Sequence, residues 1–198
     1  MKNNKLNLFF LTILFSCLVT ENIFAQDSLV PPVNREVRKI ERTMIINAKP
    51  EEVFAFMDDI NNTGRHMTES NAQMAGSKLK LEWLTDYKTG LNTKYKWTGK
   101  VMGMKMKFTV IVSQWDSGKS KTWETIGDAK MIVISWYRMY LELKPNDDGT
   151  TTAKLGILYT KSKNIPGFLL GKRYSIWCVN SMLNDTNKHF KKNTNEKH

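Results

Sequence analysis

Residues 45–59 form the segment Ile-Ile-Asn-Ala-Lys-Pro-Glu-Glu-Val-Phe-Ala-Phe-Met-Asp-Asp, in which a strand changes into a helix. Pro50 is suited to the first helical position, where its missing N–H group is not needed, and two glutamates follow it in the first turn. The mixed polar and β-branched residues 38–48 before it predict a strand. Apolar residues at helical spacing after it predict a helix, which the Asn-Asn-Thr-Gly sequence at 61–64 ends.

The apolar spacing changes to a period of two from Lys78 onward, after a second short helical or irregular piece at 65–75. Six further strands are predicted at residues 78–83, 94–98, 104–112, 121–126, 131–144 and 153–160. The Asn-Asp-Asp-Gly sequence at 146–149 predicts a hairpin turn. Because the connections are short, the strands are expected to form an antiparallel meander.

A long amphipathic helix is predicted from Phe168 to about Lys191, opened by Pro166. Its apolar residues recur seven apart at Leu169, Ile176, Leu183 and Phe190. A curved antiparallel sheet must cover its apolar face, and this helix is the available partner. The pattern therefore predicts an α+β domain with a cavity between sheet and helix, followed by a polar tail at 193–198.

The order of these segments resembles the START-like superfamily, also called the SRPBCC or polyketide cyclase/dehydrase-like group. The local match is Ala-Lys-Pro-Glu-Glu-Val-Phe at 48–54, with Asp58 near the helix end, and the resemblance covers about residues 36–191. It implies a helix-grip fold, in which a seven-stranded curved antiparallel sheet wraps around a long C-terminal helix, with one or two short helices after the first strand. It also implies a deep apolar cavity for hydrophobic ligands. The group contains both carriers and enzymes, so the fold alone does not decide the activity.

The first 25 residues have the pattern of a bacterial secretory signal peptide: a lysine-containing start, an apolar stretch at 8–19 and a small residue, Ala25, at the end. The apolar stretch is shorter than the roughly 20 residues that span a bilayer. Cleavage near Ala25 would leave an extended leader at 26–35 and a START-like ligand-binding domain at 36–192. The protein is therefore expected to be exported, periplasmic or extracellular. Alternatively, Leu-Phe-Ser-Cys at 14–17 is similar to a lipobox, which would anchor a lipoprotein at Cys17.

The composition excludes several classes of protein. A hydrophobic content of 41% and a charged content of 25% exclude a disordered chain and a polytopic membrane protein. Two cysteines and three histidines without a metal-ligand spacing predict no metal site, and no nucleotide or phosphate-binding motif indicates a cofactor. Cys178 lies in an apolar part of the last predicted helix, so we expect an inert, buried thiol.

Large apolar side chains at inward-facing positions are the candidate ligand-binding residues. Methionine and aromatic side chains line adaptable apolar cavities, and tyrosine and tryptophan add a few hydrogen bonds. The candidates are Trp83, Tyr95, Trp97, Met104, Met106, Tyr137, Tyr159 and Trp177. The alternative is that these residues fill a core, as we expect for Phe108. Tyr137 faces inward if Leu141 and Leu143 do, and Arg138 then faces outward. A bulge would reverse this, and an inward Arg138 would need an anionic ligand group or an acid such as Glu124 beside it.

His66 is the ninth candidate ligand-binding residue and also the candidate for acid–base chemistry, because it lies in the segment that the resemblance puts near the cavity mouth. As an alternative, it is a hydrogen-bonded loop histidine. Asp58 and Asp59 are expected to be structural, capping a neighbouring loop or pairing with a base such as Arg65.

The formal net charge of +11 is concentrated around the last helix, at Lys161, Lys163, Lys172, Arg173, Lys188, Lys191 and Lys192. This predicts either a peripheral contact with an anionic membrane surface or a solvated basic face. Nucleic acid is excluded as a partner by the predicted export. The sequence thus predicts an exported protein that binds a hydrophobic small molecule or lipid. The alternative is a cyclase or dehydratase-like enzyme that uses His66 and cavity tyrosines as acid/base groups.

Overall fold

The computed structural model describes residues 35–69, 74 and 76–195. The strands β1 to β7 are Val37–Ile46, Leu79–Trp83, Lys94–Val101, Met104–Asp116, Ser120–Lys130, Ile134–Pro145 and Thr151–Lys161. The helices α1 to α4 are Pro50–Asp58, Ile60–Thr63, Arg65–Thr68 and Ile165–Asn195. The predicted signal peptide, the lipobox at Cys17 and leader residues 26–34 lie outside the described residues. None of the described helices is long and apolar enough to cross a membrane.

The seven strands form one antiparallel sheet in the order β1-β7-β6-β5-β4-β3-β2. The predicted α+β architecture, with a seven-stranded sheet, short helices after the first strand and a long C-terminal helix, is confirmed. Strands β1 and β2 lie at opposite edges of the sheet, so the chain between them must cross from one edge to the other. Helices α1, α2 and α3 make that crossing and contact α4. The sheet and the four helices therefore enclose a space between them.

Strand β4 shows how alternation builds the inner face. Met106, Phe108, Val110 and Val112 are all buried, whereas Lys105 and Lys107 between them are exposed. Such a period-two pattern places one apolar face against the helices, as the sequence predicted.

The buried face of α4 differs from the predicted seven-residue pattern. Val179 and Leu183 are buried, but so are Ser175 and Thr186, whereas Leu169 is exposed. The two hydroxyls donate to carbonyl oxygens one turn earlier, Ser175 Oγ to Gly171 at 2.9 Å and Thr186 Oγ1 to Met182 at 2.8 Å. Since their hydrogen bonds are satisfied within the helix, these polar residues are buried at little cost. The helix also extends to Asn195, so the first three residues of the predicted polar tail are helical.

The first helical segment breaks at Asp59, earlier than predicted. Asp59 has an extended backbone, with φ −71° and ψ 114°, and its side chain accepts a hydrogen bond from the Asn61 N–H at 2.8 Å. The residue therefore ends α1 and caps α2. Asp58 is buried and pairs with Lys121, with 2.6 Å between Oδ1 and Nζ. Both acids are thus structural, as expected, one as a cap and one paired with a base. The base is Lys121 and not the suggested Arg65, which pairs with Glu69.

Strand β5 is longer than its predicted range of 121–126. The sequence predicts its end at Gly127, but the strand continues to Lys130. Gly127 has a φ of 63°, and the pairing with β4 shifts register between Lys107/Lys130 and Thr109/Ile126. The glycine thus sits in a bulge that interrupts the ladder without ending it.

Tyr137 on strand β6 faces the inner side of the sheet. The register shift in the pairing of β6 with β7 lies between Ile134 and Trp136, before Tyr137, so it does not reverse the alternation that follows. Arg138 points the other way and pairs with Glu124, with 2.8 Å between Nη2 and Oε2. The sequence suggested Glu124 as the partner of an inward-facing Arg138. The two residues do pair, but on the outer face of the sheet.

Candidate functional site

A cavity of about 340 Å³ lies between the inner face of the sheet and helices α2, α3 and α4. Its volume is in the range of pockets that hold small organic ligands. Eight methionines contribute to the lining, which makes the wall adaptable. None of the described lining residues is an Asp, Glu, Lys or Arg. The polar side chains other than tryptophan at the wall are Thr63, His66, Tyr95, Tyr137, Tyr174 and Cys178.

Six of the nine predicted ligand-binding residues lie on the cavity wall: His66, Tyr95, Trp97, Met104, Met106 and Tyr137. Trp97 is 1% exposed and packs beneath the turn between α2 and α3. This turn contains Gly64, where an added Cβ would lie 3.0 Å from the Trp97 ring and 2.5 Å from the Ile60 carbonyl oxygen. The glycine therefore lets the short helices close down onto the indole.

The other three candidates lie outside the cavity lining. Trp83 on the edge strand β2 packs its ring against Tyr95, with 5.7 Å between the ring centroids. Tyr159 is covered by α4, and its hydroxyl shares a hydrogen bond with Ser175. Trp177 stands behind His66, with 5.2 Å between the ring centroids. All three support residues of the wall or the helix that covers it.

Several lining residues were missed by the sequence patterns. Trp123 shares the inner face of β5 with Lys121 and Thr125, and these polar neighbours hide the apolar alternation. Residues 131–134, where β5 turns into β6, contribute four apolar side chains. A large aromatic side chain at the centre of a predicted strand could have indicated that Trp123 lines the cavity. No local pattern indicates residues 131–134, which join the wall only through tertiary packing.

His66 is an uncharged group at neutral pH. Burial lowers the pKa of its imidazole to about 4, although a hydrogen bond to the main chain of Thr63 opposes the shift. The charged form is disfavoured because the surrounding wall is apolar. A neutral imidazole donates one hydrogen bond and accepts another, so His66 has the right state for orienting a ligand or accepting a proton.

The tyrosines of the wall remain protonated. Burial raises the pKa of Tyr95, Tyr137 and Tyr174 above the ordinary value for a phenol. Burial likewise raises the pKa of the Cys178 thiol to about 12. The cavity therefore presents neutral hydrogen-bonding groups, and Cys178 is a buried thiol with little tendency to form a thiolate.

The cavity mouth is rimmed by exposed apolar side chains. Met102 and Met104 lie at the β3–β4 turn, and Ile165, Leu169 and Leu170 lie at the start of α4. Met102 and Ile165 are 72% and 77% exposed. Because such large apolar side chains are seldom clustered on a surface without a function, the rim is a second notable feature of the site.

Solved structures with the same arrangement place the chain among known folds. Ara h 8.0201 aligns with a TM-score of 0.58 at 11% identity, covering 79% of this chain and 99% of its own. Norcoclaurine synthase from Thalictrum flavum aligns with a TM-score of 0.57 at 12% identity, covering 80% and 96%. The chain has the helix-grip fold. The START/SRPBCC-type resemblance is thereby confirmed for the fold.

A third helix-grip structure, TTHA0849 from Thermus thermophilus, aligns with a TM-score of 0.54 at 19% identity, covering 76% of this chain and 95% of its own. No family model matches the sequence, and no curated protein matches it significantly. At these low sequence identities the similarity shows that the fold is shared. A shared fold does not decide the function, which depends on the residues of the site.

Proposed function

We propose that this protein binds a hydrophobic small molecule or lipid in the cavity between the sheet and α4. The observation that carries the proposal is a cavity of about 340 Å³ with no charged side chain among its described lining residues. Transfer of an apolar molecule from water into such a space is favourable by roughly 25 cal/mol per Å² of apolar surface buried. A charged ligand would lose its hydration there without gaining an ionic partner.

Binding is tested by titrating the purified protein with Nile red, a neutral dye whose emission increases in apolar surroundings. Met106 points into the cavity, and Lys107 points outward from the same strand. Met106→Trp should fill the cavity and weaken dye binding by about tenfold or more, whereas Lys107→Trp should leave it unchanged. Equal binding by both variants would show that the dye binds elsewhere. Solvent extraction and mass spectrometry of the same preparation would identify a copurifying molecule.

A cyclase or dehydratase-like activity is the second candidate function. It is supported by the neutral His66 imidazole at the cavity wall and by the protonated tyrosines that share the cavity. One of the fold neighbours is, by its name, a synthase. If the protein catalyses a reaction, His66→Ala should abolish conversion of the molecule extracted from it, followed by mass spectrometry. Unchanged conversion would exclude His66 from catalysis.

We further propose that the protein is exported and that its cavity mouth faces an anionic membrane. The signal-peptide pattern at 1–25 supports export. N-terminal sequencing of the protein recovered from its native host should begin after Ala25, whereas a lipid-modified Cys17 at the N-terminus would indicate the lipoprotein instead. An unprocessed chain would contradict both forms of export.

The exposed apolar rim supports the membrane contact. Lys161 lies beside it, because its Nζ donates to the Phe168 carbonyl oxygen at 2.9 Å and stands 5.0 Å from the Phe168 ring. Lys100 and Lys105 face each other across the β3–β4 hairpin, next to Met102 and Met104. Apolar side chains flanked by cations match a bilayer surface that carries anionic head groups.

A further inference from the structure

Two buried phenols, Tyr95 and Tyr137, lie on the cavity wall. Tyr95 is 2% exposed and Tyr137 is 9% exposed. They come from β3 and β6, which two intervening strands separate, and both side chains line the same cavity. Burial is the main reason that the pKa of Tyr137 is raised, and Tyr95, Tyr174 and Cys178, which line the same cavity, raise it further.

The hydroxyls of Tyr95 and Tyr137 differ from three other polar groups of the wall in their hydrogen bonding. Thr63 Oγ1 donates a hydrogen bond to the Asp59 carbonyl oxygen. His66 is hydrogen-bonded to the main chain of Thr63, and Tyr174 is hydrogen-bonded to the side chain of Cys178. Neither phenol hydroxyl forms a hydrogen bond with a residue that the structure describes, and both side chains line the cavity. Because a phenol hydroxyl kept from bulk water almost always has a partner, a group inside the cavity is expected to supply it.

We propose that Tyr95 and Tyr137 anchor a neutral oxygen atom, a carbonyl or a hydroxyl, of the molecule that occupies the cavity. This inference rests on the proposed function and specifies the chemical class of its ligand. A carboxylate or an ammonium group is disfavoured, because the described lining has no Lys or Arg for the former and no Asp or Glu for the latter. The remainder of the ligand would lie along the methionine-rich wall toward the mouth.

Three naphthalenes of similar size test the anchor. 2-Acetylnaphthalene carries a carbonyl, 2-isopropylnaphthalene replaces it with a hydrocarbon of similar shape, and 2-naphthoate replaces it with a charge. Trp97 and Trp123 line the cavity, so binding is followed by tryptophan fluorescence and confirmed by calorimetry. The wild-type protein should bind the ketone roughly 2- to 12-fold more tightly than the hydrocarbon, as one net hydrogen bond predicts. It should bind the carboxylate most weakly.

Tyr95→Phe and Tyr137→Phe identify the groups responsible. Each variant should reduce the preference for the ketone while keeping the affinity for 2-isopropylnaphthalene, which also shows that the cavity is intact. Tyr87→Phe is the matched control, because Tyr87 is 49% exposed in the β2–β3 connection. Equal affinities for ketone and hydrocarbon would show that the phenols bind water only and would overturn the anchor while leaving the cavity function standing. If none of the probes binds to the wild-type protein, the proposed function fails as well.

Discussion

At neutral pH the His66 imidazole is uncharged, because it is half-buried against the apolar wall of the cavity and the neighbouring Trp177 ring. Its pKa is about 4 in the folded protein, whereas an unperturbed histidine has a pKa of 6.5. Such a difference makes the free energy of unfolding depend on pH, because the unfolded chain takes up a proton that the folded protein does not.

We predict that protonation of His66 in the unfolded chain destabilises the protein as the pH falls from about 6.5 toward 4. The stabilisation is complete above the unfolded pKa and is lost progressively below it, by up to about 3 kcal/mol. His66→Gln should remove this part of the pH dependence. Urea denaturation of both proteins across this pH range measures the effect. The difference between their free energies of unfolding removes the contribution of carboxylates, which titrate in both proteins. Parallel curves for the two proteins would contradict a lowered pKa of His66 in the folded protein.

A buried ion pair joins the end of helix α1 to strand β5. Lys121 Nζ lies 2.6 Å from Asp58 Oδ1 and donates to the Asp58 carbonyl oxygen at 3.0 Å, so one cation serves both the side chain and the helix terminus. Trp115 Nε1 donates to Asp58 Oδ2 at 3.1 Å. Burial lowers the pKa of Lys121, and Asp58 opposes that shift. The pair explains why an acid is tolerated at a helix C-terminus, where the dipole disfavours it.

Removal of one partner of this pair should be costly, because it leaves the other charge buried alone. We predict that Lys121→Met lowers the free energy of unfolding by about 3–5 kcal/mol. The double variant Lys121→Met/Asp58→Asn should be more stable than the sum of the single changes predicts, by about 1 kcal/mol or more. Chemical denaturation of the four proteins measures the coupling. Strict additivity would mean that the two charges do not interact.

The outer face of the sheet contains a close approach across three strands. Gly156 of β7 lies between Glu41 of β1 and Tyr140 of β6, and the Tyr140 hydroxyl donates to Glu41 across it. An added Cβ on Gly156 would lie 2.1 Å from Tyr140 Cζ. The glycine is therefore required by the tyrosine that covers it and not by its backbone angles.

This arrangement predicts that Gly156→Ala destabilises the protein by about 1–3 kcal/mol, because the ring must move and its bond to Glu41 is lost. In a Tyr140→Ala background the same change should be neutral or stabilise by about 0.5 kcal/mol, since alanine is preferred to glycine within a strand. Thermal or urea unfolding distinguishes the two cases. A cost that persists without the tyrosine would point to the backbone instead.

At the scale of the whole molecule, the apolar rim and the flanking lysines predict peripheral membrane binding. The protein should sediment with vesicles of equimolar phosphatidylglycerol and phosphatidylcholine, and high salt should weaken the binding by about tenfold because it screens the charges. Phe168→Ser with Leu169→Ser should also weaken it. Leu91→Ser is the control, because Leu91 is 52% exposed but does not line the cavity. Equal binding to pure phosphatidylcholine would contradict the role of charge.

The sequence alone determined the order of the elements and the class of the fold, because these depend on local patterns. Pro50 with its two glutamates marks the start of the first helix, and the alternation in segment 104–112 identifies a strand with one buried face. Five of the six candidates that lie on the cavity wall come from strands, and their inward parity is a local property. The sixth, His66, was indicated by the family resemblance.

Tertiary structure alone decided which inward residues face the cavity and which pack beneath a helix. Tyr95 and Tyr159 have the same inward parity, but α4 covers Tyr159 while Tyr95 remains on the open wall. The partner of Asp58 is Lys121, 63 residues away, which no local pattern indicates. The physical reason is that cavity walls and buried ion pairs depend on how distant elements meet in space, whereas helix and strand patterns depend only on neighbours along the chain.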